Sequence, residues 1–413
     1  MSRRVVITGM GTINPVGHNL EETWENIKAG VCGIDKISQI DVSGYKVQMA
    51  GEVKDYVPEN FLDKKEVRKM DRYTQFGMIA AREALKDSGL DMEKEDAFRC
   101  GTIVSSGIGG LKTIEENYAR GVERGFEKIS PFFIPMSISN MCAGEIAIMS
   151  GFKGVCESIV TACASGNNAI GESFHKIRDG YQDVMMAGGA EGCICDLGVG
   201  GFTVMKALST STDKNRASIP FDAERGGFVM GEGAGILILE ELEHAKARGA
   251  KIYGEVVGYG ASCDAYHITA PDPTGAGGAA CMRMAVEDAG IEPKDVDYVN
   301  AHGTSTHLND AGETAAIKQV FGDHAYEMMV SSTKSMTGHL MGAAAAVEAI
   351  FSTMALKDGF VPATINYKTP DPECDLDIVP NEGRKADIKY VASNSLGFGG
   401  HNACCVFKKW EEQ

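Results

Sequence analysis

One cysteine, two histidines and a lysine carry side chains that could perform covalent chemistry. Cys163 follows a strand-like run at 158–160 and precedes small residues that begin a predicted helix. Backbone N–H groups and the helix dipole at such a position are expected to favour its thiolate. His302 follows a predicted strand in a glycine- and hydroxyl-rich loop, and His339 begins an alanine-rich helix five residues after Lys334. Together these residues could supply a nucleophile, proton handling and electrostatic support.

Three other interpretations account for the same residues. A cysteine among small residues is commonly a buried structural residue. A cysteine with two histidines could bind zinc, although no short ligand spacing supports this. A cysteine hydrolase would need an Asn or Asp to orient the histidine base, and the motifs contain none.

Alternating strands and helices must position these side chains. Strand-like runs lie at 101–104, 183–187, 235–239, 296–300 and 389–392, and helical stretches at 74–88, 164–178 and 276–289. This alternation predicts an α/β protein with a substantial parallel component. Two similar turns, 161–166 and 335–339, each lead into a helix, so we predict two comparable halves, 1–250 and 251–413, that bring the helix starts together about a pseudo-two-fold axis.

The first strand, at 5–8, is followed by Gly9-Met10-Gly11, which predicts a tight turn. A Gly-x-Gly after a strand is part of the dinucleotide-binding pattern, but the third glycine position holds Asn14. The pattern is therefore weak evidence for a dehydrogenase.

Composition and charge exclude several classes of protein. The 413 residues are 44% hydrophobic and 23% charged, as in an ordinary globular chain, and the net charge of −17 opposes binding to nucleic acid or anionic lipid. No 18-residue apolar stretch and no signal peptide are found, which predicts a cytoplasmic protein without a membrane partner. The twelve cysteines form no CxxC pair, so we expect most to be reduced, buried, small apolar residues.

Five ordered segments resemble those of the β-ketoacyl-acyl carrier protein synthases, and their spacing matches best the type II enzymes of bacterial fatty acid elongation. The segments are 161–166 (TACASG), 220–222 with 225–233 (PFD, RGGFVMGEG), 300–306 (NAHGTST), 334–339 (KSMTGH) and 394–400 (NSLGFGG). The resemblance runs from the first strand to the last ten residues. It implies the thiolase fold, in which two fused βαβαβαββ halves form a five-layer αβαβα arrangement, and a homodimer.

The resemblance also implies a division of labour among the reactive residues. Cys163 would receive the acyl chain as a thioester, with the backbone N–H groups of Cys163 and Phe398 as oxyanion hole. His302 and His339 would hold the malonyl thioester oxygen while CO₂ leaves, and the enolate would attack the Cys163 thioester to give a 3-oxoacyl product two carbons longer. Lys334 would support the site by pairing with Glu313.

By the same resemblance, further residues would contact the substrates, and Phe398 would gate the acyl pocket. The phosphopantetheine arm, which the carrier protein brings, would contact Thr269, Thr304 and Thr306. The far end of the acyl pocket would be lined by Ile108, Phe202 and Phe133 of the partner subunit. A structural cation would be held by Asn300, Glu348, Ser393 and Asn394, four polar residues that could instead hydrogen-bond one another. No cofactor is implied for the chemistry itself.

The implied partner is an acyl carrier protein in its acyl- and malonyl-loaded forms. Because that partner is acidic, docking needs a basic surface. A short basic run is formed by Lys64, Lys65, Arg68 and Lys69. At helical spacing, the last three of these share one face. Other positions that match the docking surface are Arg124, Lys128 and Lys206. The ordinary meaning of such a run is a solvated helix face.

Two positions depart from the family pattern and bear on substrate preference. His307 stands where proline is common, and His401 stands where threonine is common. Two related functions also stay open. A polyketide or specialised-lipid synthase uses the same Cys-His-His set, whereas a non-catalytic chain-length factor typically lacks the cysteine.

Overall fold

A ten-stranded mixed sheet organises the chain, which a computed structural model describes over residues 3–412. The fourteen strands of these residues are Val5–Ile13 (β1), Asp35–Lys36 (β2), Met49–Ala50 (β3), Cys100–Ser105 (β4), Cys156–Glu157 (β5), Val184–Glu191 (β6), Gly233–Glu241 (β7), Gly254–Cys263 (β8), Tyr298–Asn300 (β9), Met329–Ser331 (β10), Phe360–Val361 (β11), Arg384–Lys385 (β12), Tyr390–Gly397 (β13) and His401–Lys409 (β14). β2 pairs with β3 and β11 with β12 in two small separate ladders.

Helices separate most of the strands. They are Leu20–Lys28 (α1), Lys64–Val67 (α2), Arg72–Ser88 (α3), Leu111–Arg124 (α4), Phe133–Ser137 (α5), Met141–Ser150 (α6), Ser165–Arg178 (α7), Asp196–Val204 (α8), Lys214–Ala217 (α9), Leu242–Ala247 (α10), Ala276–Asp288 (α11), His307–Phe321 (α12), Lys334–Thr337 (α13) and Ala344–Asp358 (α14). Each predicted helix and all but one of the predicted strands overlap an observed element of the same type; the strand-like run at 158–160 lies just after β5 and is not a strand.

The two ends of the sheet repeat one pattern. The strand order is β10-β9-β13-β14-β8-β1-β7-β6-β4-β5. From the centre to one edge, β7 pairs antiparallel with both β1 and β6. Beyond it, β6, β4 and β5 run parallel to one another. From the centre to the other edge, β8, β14 and β13 are antiparallel neighbours and β13, β9 and β10 are parallel. These two runs of five strands are called the two strand sets. A short antiparallel pairing of β1 with β8 joins them.

Helices divide this sheet into layers. α3 packs on β1 and β7, and α11 packs in the same way on β8 and β14, so these two helices form outer layers. α7 and α14 contact each other and strands from both ends of the sheet, so they lie between the two strand sets. Each set follows the βαβαβαββ order, and the expected five-layer thiolase fold is confirmed.

Gly9 and Gly11 serve helix packing and do not form the predicted tight turn. That prediction is wrong, because β1 continues through both glycines to Ile13. A Cβ atom at either position would lie only 2.3 or 2.1 Å from a carbonyl oxygen of α3. Gly258 and Gly260 of β8 stand in the same relation to α11, with both distances 2.1 Å. A Gly-x-Gly pair in the first strand of each set therefore lets a helix lie directly on the strand.

Two expectations about composition can be compared with the fold. Within residues 3–412, no helix combines the length and the apolar character needed to cross a bilayer. All twelve cysteines are free thiols and eight of them are buried, which confirms that most serve as small apolar side chains.

Candidate active site

Cys163 lies in a strained turn at the start of α7. The 3-10 turn Ala162–Ala164 leads directly into the helix, and Ala162 has φ 51°, in the left-handed region that costs a non-glycine residue about 1 kcal/mol or more. Ser165 holds this turn closed, because its hydroxyl donates to the carbonyl of Ala162 (2.6 Å) and accepts from the N–H of Thr161 (2.9 Å). The local hydrogen bonds thus fix the backbone that carries the cysteine.

A matching turn at Met341–Ala343 leads into α14, and Met341 also has a left-handed φ of 47°. The two helices approach backbone to backbone, since a Cβ on Gly166 of α7 would lie 2.9 Å from the amide nitrogen of Ala346 in α14. The predicted meeting of the two helix starts is confirmed. As a result, Nε2 of His339 lies 3.0 Å from Sγ of Cys163.

His302 completes a cluster of three reactive side chains. It follows β9, and its ring lies nearly perpendicular to that of His339, with centroids 5.2 Å apart. One ligand-type atom from each of Cys163, His302 and His339 lies within 4.8 Å of the others. The three residues that the sequence analysis selected are therefore brought together.

Both histidines are neutral at pH 7. Burial lowers the pKa of each ring well below its ordinary value, and the Lys334 charge acts in the same direction. Nδ1 of each ring is buried and has no hydrogen-bond partner among the described residues. No neighbouring acceptor therefore holds the ring proton on Nδ1.

The expectation of a Cys163 thiolate is wrong for the free site. Burial raises the pKa of the thiol to about 12, and the nearby Glu191 carboxylate adds to the effect. The Lys334 charge and the backbone N–H groups of Phe398 and Cys163 oppose this shift but do not overcome it. Cys163 is consequently a thiol, and Nε2 of His339 is its nearest proton acceptor.

The loop after β13 brings a second backbone donor to the sulfur. The backbone N–H groups of Phe398 and Cys163 both act to lower the pKa of the Cys163 thiol, so they lie near the sulfur. Their role as oxyanion hole stays a prediction. Gly397 makes this approach feasible, because a Cβ there would lie 3.2 Å from the Cys163 amide nitrogen. Gly399 donates its N–H to the carbonyl of Ile268 (2.8 Å), which ties this loop to the segment that carries the predicted pantetheine contact Thr269.

The predicted pairing of Lys334 with Glu313 is wrong. Nζ of Lys334 lies 2.5 Å from a carboxylate oxygen of Glu348 on α14, and both side chains are buried. Burial raises the pKa of Glu348 to about 7, and the Lys334 charge opposes the shift. Glu313 instead accepts the backbone N–H groups of His302 (2.7 Å) and Gly303 (2.8 Å). Glu313 therefore fixes the loop that carries His302.

The four residues predicted to hold a cation have unused oxygens. Asn300 and Ser393 are register partners across β9 and β13, and Asn394 follows Ser393 on the same strand. Each of the four has one buried side-chain oxygen that lacks a hydrogen-bond partner within residues 3–412. The residues are Asn300, Glu348, Ser393 and Asn394. Carbonyl, hydroxyl and carboxylate oxygens are the donors that hard cations prefer, so this set fits such an ion.

The predicted substrate contacts lie in three parts of the structure, and their roles stay predictions. Thr304 and Thr306 carry hydroxyls 3.0 Å apart in the loop after β9. Ile108 and Phe202 are half-buried against one hydrophobic cluster, and the Phe202 ring lies 6.4 Å from that of Phe398. Phe133 is half-buried at the start of α5.

Two residues near the site were missed by the sequence analysis. Phe228 packs edge-on against the His339 ring, with centroids 5.4 Å apart. Glu191, the last residue of β6, accepts hydrogen bonds from the Ser106 hydroxyl (2.7 Å) and from the N–H groups of Gly107 (2.8 Å) and Gly342 (3.0 Å). Burial raises the pKa of Glu191 to about 7. A carboxylate directly after a buried apolar strand was the signal that could have revealed it.

The basic residues are exposed but do not form the predicted helix face. α2 is a single turn that ends at Val67, so Arg68 caps it and Lys69 lies beyond it. Nζ of Lys69 lies 5.5 Å from the centre of the Phe132 ring. The other three basic residues lie at the ends of separate elements: Arg124 ends α4, Lys128 ends the turn 126–128 and Lys206 follows α8.

The two departures from the family pattern differ in their exposure. His307 is the first residue of α12 and is exposed. His401 is the first residue of β14, is half-buried, and pairs with Gly397 of the loop that carries the second backbone donor. Of the two, His401 is the one that pairs with a residue next to Phe398.

Comparisons with known proteins agree on the family. Residues 2–245 match the β-ketoacyl synthase N-terminal domain, and residues 253–368 match the C-terminal domain. The chain is 54% identical over 410 residues to a 3-oxoacyl-[acyl-carrier-protein] synthase 2 of Staphylococcus aureus, and 49% identical over 410 residues to one of Synechocystis. Each alignment covers 99% of both chains.

Solved structures are similar over the whole chain. The ishigamide ketosynthase/chain length factor superposes with a TM-score of 0.93 at 37% identity and covers 100% of both chains. A type II polyketide ketosynthase solved in complex with its acyl carrier protein gives a TM-score of 0.92 at 36% identity, covering 99% of this chain and 100% of that one.

Proposed function

The chain belongs to the β-ketoacyl synthase family, and from this premise we propose that it extends fatty acyl chains by decarboxylative condensation with malonyl-acyl carrier protein. The observation that carries the proposal is the convergence of Cys163, His302 and His339, in a chain 54% identical over nearly its full length to a 3-oxoacyl-[acyl-carrier-protein] synthase 2. The product is a 3-oxoacyl thioester two carbons longer than the acyl chain supplied.

In the first step, Cys163 takes the acyl group. The thiol proton moves toward Nε2 of His339, 3.0 Å away, and the sulfur attacks the carbonyl carbon of the acyl thioester. The N–H groups of Cys163 and Phe398 stabilise the tetrahedral oxyanion. The pantetheine sulfur leaves and takes the proton, so an acyl-enzyme and a free carrier thiol result.

In the second step, malonyl-acyl carrier protein replaces the free carrier. His302 and His339 each donate one hydrogen bond from Nε2 to the malonyl thioester oxygen. For His339 this requires its single ring proton to pass through solvent from Nδ1, where acyl transfer needs it, to Nε2, and no acceptor at Nδ1 opposes that change. Neutral rings with no acceptor at Nδ1 suit this role. The carboxylate leaves as CO₂, the electron pair forms an enolate, and its carbon attacks the Cys163 thioester and expels the sulfur.

Lys334 and Glu348 support this charge development without touching the substrate. Their buried ion pair sets a fixed dipole beside both histidines. A cation held by Asn300, Glu348, Ser393 and Asn394 would balance the remaining carboxylate oxygen and fix the strand ends of β9 and β13. Such an ion supplies positive charge to the site when bound, and the reaction needs no other cofactor.

The substrates reach the site on an acyl carrier protein. The phosphopantetheine arm of the carrier would lie against Thr269, Thr304 and Thr306, whose loops flank Phe398. The exposed lysines and arginines at 64–69, 124, 128 and 206 would contact the acidic carrier. The solved complex of a related ketosynthase with its acyl carrier protein supports this partner class.

We also propose a homodimer formed at the β5 edge of the sheet. β5 ends the strand order with both residues exposed, and open sheet edges favour pairing with another chain. Apolar side chains near this edge are exposed, among them Ile134, Ile138, Ile148 and Val160. A second copy seated here would cover them and would bring Phe133 of each chain toward the other's acyl pocket.

The division into halves at residues 250 and 251 and the cytoplasmic location stay predictions. The separate matches of 2–245 and 253–368 to two domain models support the division.

A polyketide or specialised-lipid synthase is the alternative function. The type II polyketide ketosynthase at 36% identity supports it, but the 3-oxoacyl-[acyl-carrier-protein] synthases at 49–54% identity are more similar. A chain-length factor is disfavoured by the intact Cys-His-His cluster.

Intact-mass analysis tests the proposed reaction. The protein is mixed with acyl-carrier protein and then with malonyl-carrier protein; we expect an acyl adduct on the enzyme that disappears as the carrier gains a product two carbons longer. Cys163→Ala should form neither, and elongation by a folded Cys163→Ala variant would refute the role of the thiol.

Cys163→Gln, whose amide resembles the acylated side chain, should still release CO₂ from malonyl-carrier protein without forming product.

A further inference from the structure

The cluster of Cys163, His302 and His339 has the composition of a zinc site as well as that of a condensing site. A thiolate with two imidazoles is a common ligand set for Zn²⁺, which needs no particular geometry beyond four-coordination. In the sequence these residues are too far apart to indicate a metal. The fold removes that objection, because it brings one ligand atom of each within 4.8 Å of the others.

We propose that the free enzyme binds one thiophilic divalent cation, Zn²⁺ in particular, at Cys163, His302 and His339, and that the bound ion excludes the acyl chain. On binding, a bond forms between the metal and Sγ of Cys163, and the thiol proton leaves to the solvent. No redox change occurs. The inference concerns the free site and does not require the proposed condensation to be correct.

The distances fit with small adjustments. Zinc–sulfur and zinc–nitrogen bonds of about 2.3 and 2.0–2.1 Å in a tetrahedral site separate the ligand atoms by roughly 3.4–3.6 Å. The Cys163–His339 pair, at 3.0 Å, must open by about half an ångström, and the wider separations, up to 4.8 Å, must close. Side-chain rotations can supply both movements.

Charges of both signs act on the cluster. Three buried carboxyl groups, Glu191, Glu313 and Glu348, surround the cluster, and Lys334 is the cation that acts on all three of its members. Each imidazole offers one ring nitrogen as a ligand atom. A metal–thiolate unit would add one net positive charge, which the Glu191 carboxylate beside Cys163 favours and the Lys334 charge opposes.

One feature indicates an exchangeable ion instead of a resident one. Histidines that hold permanent zinc usually donate their second N–H to a carboxylate or carbonyl group. Here Nδ1 of both rings lacks any such partner within residues 3–412. We therefore expect binding that competes with acyl loading, since the metal and the acyl group need the same sulfur atom.

Metal titration of the untagged, reduced and chelator-treated enzyme tests the proposal. Co²⁺ should produce a thiolate-to-cobalt charge-transfer band, and calorimetry with Zn²⁺ in a non-chelating buffer should give one site per chain. Cys163→Ser should lose the band and weaken zinc binding more than ~100-fold, because losing even an outer-shell partner costs ~10–100-fold. Wild-type enzyme acylated at Cys163 should lose both signals in the same way, independently of any folding defect in the variant.

Cys156→Ser and Cys263→Ser are the matched controls, because these cysteines are exposed and could bind metal adventitiously. Both controls should keep the band and the zinc affinity. The proposal is overturned if Cys163→Ser or the acylated enzyme binds Zn²⁺ as tightly as the free enzyme, if either control loses the site, or if no binding is detected. Because no turnover is measured, these results are independent of whether the condensation itself is observed.

Discussion

At the scale of single residues, burial sets the protonation states on which the site depends. His302 and His339 are each about 2% exposed, so they stay neutral and can donate a hydrogen bond without carrying charge. A positively charged ring would offset the negative charge of the enolate, but it would be costly to hold in this interior. The two buried rings therefore suit an oxyanion that exists only during the reaction.

We predict that His302→Ala and His339→Ala will each reduce malonyl decarboxylation far more than carrier binding. The hydrogen bonds strengthen as the enolate develops, and loss of one oxyanion donor typically costs about 2.7–4 kcal/mol, or ~10²–10³-fold in kcat. Release of CO₂ from malonyl-carrier protein, measured in the Cys163→Gln background, isolates this step from acyl transfer. His324→Ala, which changes a half-buried histidine of the turn Gly322–Tyr326 outside the cluster, is the control. Normal decarboxylation by His302→Ala would contradict the assigned role.

Residue identities could be predicted from the sequence, but their ionisation and pairing could not. The motifs selected Cys163 and both histidines, because each lies at a strand end or a helix start. The thiolate expectation failed because desolvation of the Cys163 sulfur outweighs the effect of the helix start on its pKa. Lys334 was assigned to Glu313 because no sequence pattern reveals that α14 brings Glu348 nearer.

At the scale of elements, Glu191 joins the end of β6 to two loops. Its carboxylate accepts N–H groups from 107 and 342, which belong to the predicted pocket loop and to the turn before α14. It thus holds the segment next to Ile108 against the start of the second central helix. A buried carboxylate in this position should influence stability through its protonation.

We predict that Glu191→Gln will change how stability depends on pH. Because the folded-state pKa is about 7, above the ordinary 4.5, the contribution of this group is fully present below about pH 4.5 and is lost as the pH rises through 7. Relative to the variant, the wild type should lose on the order of 3 kcal/mol of unfolding free energy between pH 5 and pH 8. Urea unfolding at several pH values measures this, with exposed Glu287→Gln as control. Parallel curves for wild type and Glu191→Gln would contradict the raised pKa.

The pocket wall gives a second prediction at this scale. Ile108→Phe should shorten the longest acyl chain accepted, because added volume at a half-buried position beside Phe202 fills the far end of the pocket. Product lengths from acyl-carrier proteins of increasing chain length measure the effect. Ile114→Phe, on the more exposed α4, adds the same volume elsewhere and should leave the products unchanged. An unchanged distribution for Ile108→Phe would remove Ile108 from the pocket.

The types of the elements could be predicted from the sequence, but the packing role of the Gly-x-Gly pairs within them could not. Alternating apolar runs identified the strands and helices, since periodicity is a local property. The Gly-x-Gly pair of β1 was misread as a turn because its function depends on contact with α3, about 70 residues further along the chain. The same pair in both strands was a visible sign of the internal repeat.

At the scale of the whole molecule, a chain of net charge −17 must still bind an acidic carrier. Exposed basic residues at the ends of α2, α4 and α8 offer local positive charge against that background. Such charges act mainly on the rate of encounter and are screened by salt. Their effect should therefore appear in KM and not in the chemical step.

We predict that Lys65→Glu with Lys69→Glu will raise the KM for acyl-carrier protein, while turnover of a small acyl-thioester mimic stays nearly unchanged. The mimic needs no carrier surface, so it separates docking from catalysis. Added salt should reduce the difference between variant and wild type. The control is Lys385→Glu with Lys389→Glu, which makes the same change of charge on exposed residues of β12 and the segment before β13. Equal loss with both substrates would assign Lys65 and Lys69 to the fold instead of to docking.

The join between β1 and β8 has a consequence for how the protein is made. Val5–Ile7 pair with residues 254–256, so the outer edge of β1 gains its partner only after roughly 250 further residues leave the ribosome. By then β1 to β7 can already have assembled, with an open strand edge and with α7 still uncovered by α14. Nascent chains at this stage are the ones most prone to pair with each other. Translation that stalls between the two halves should therefore yield aggregates. A pause after β8 should not expose the edge of β1, because β8 already covers it.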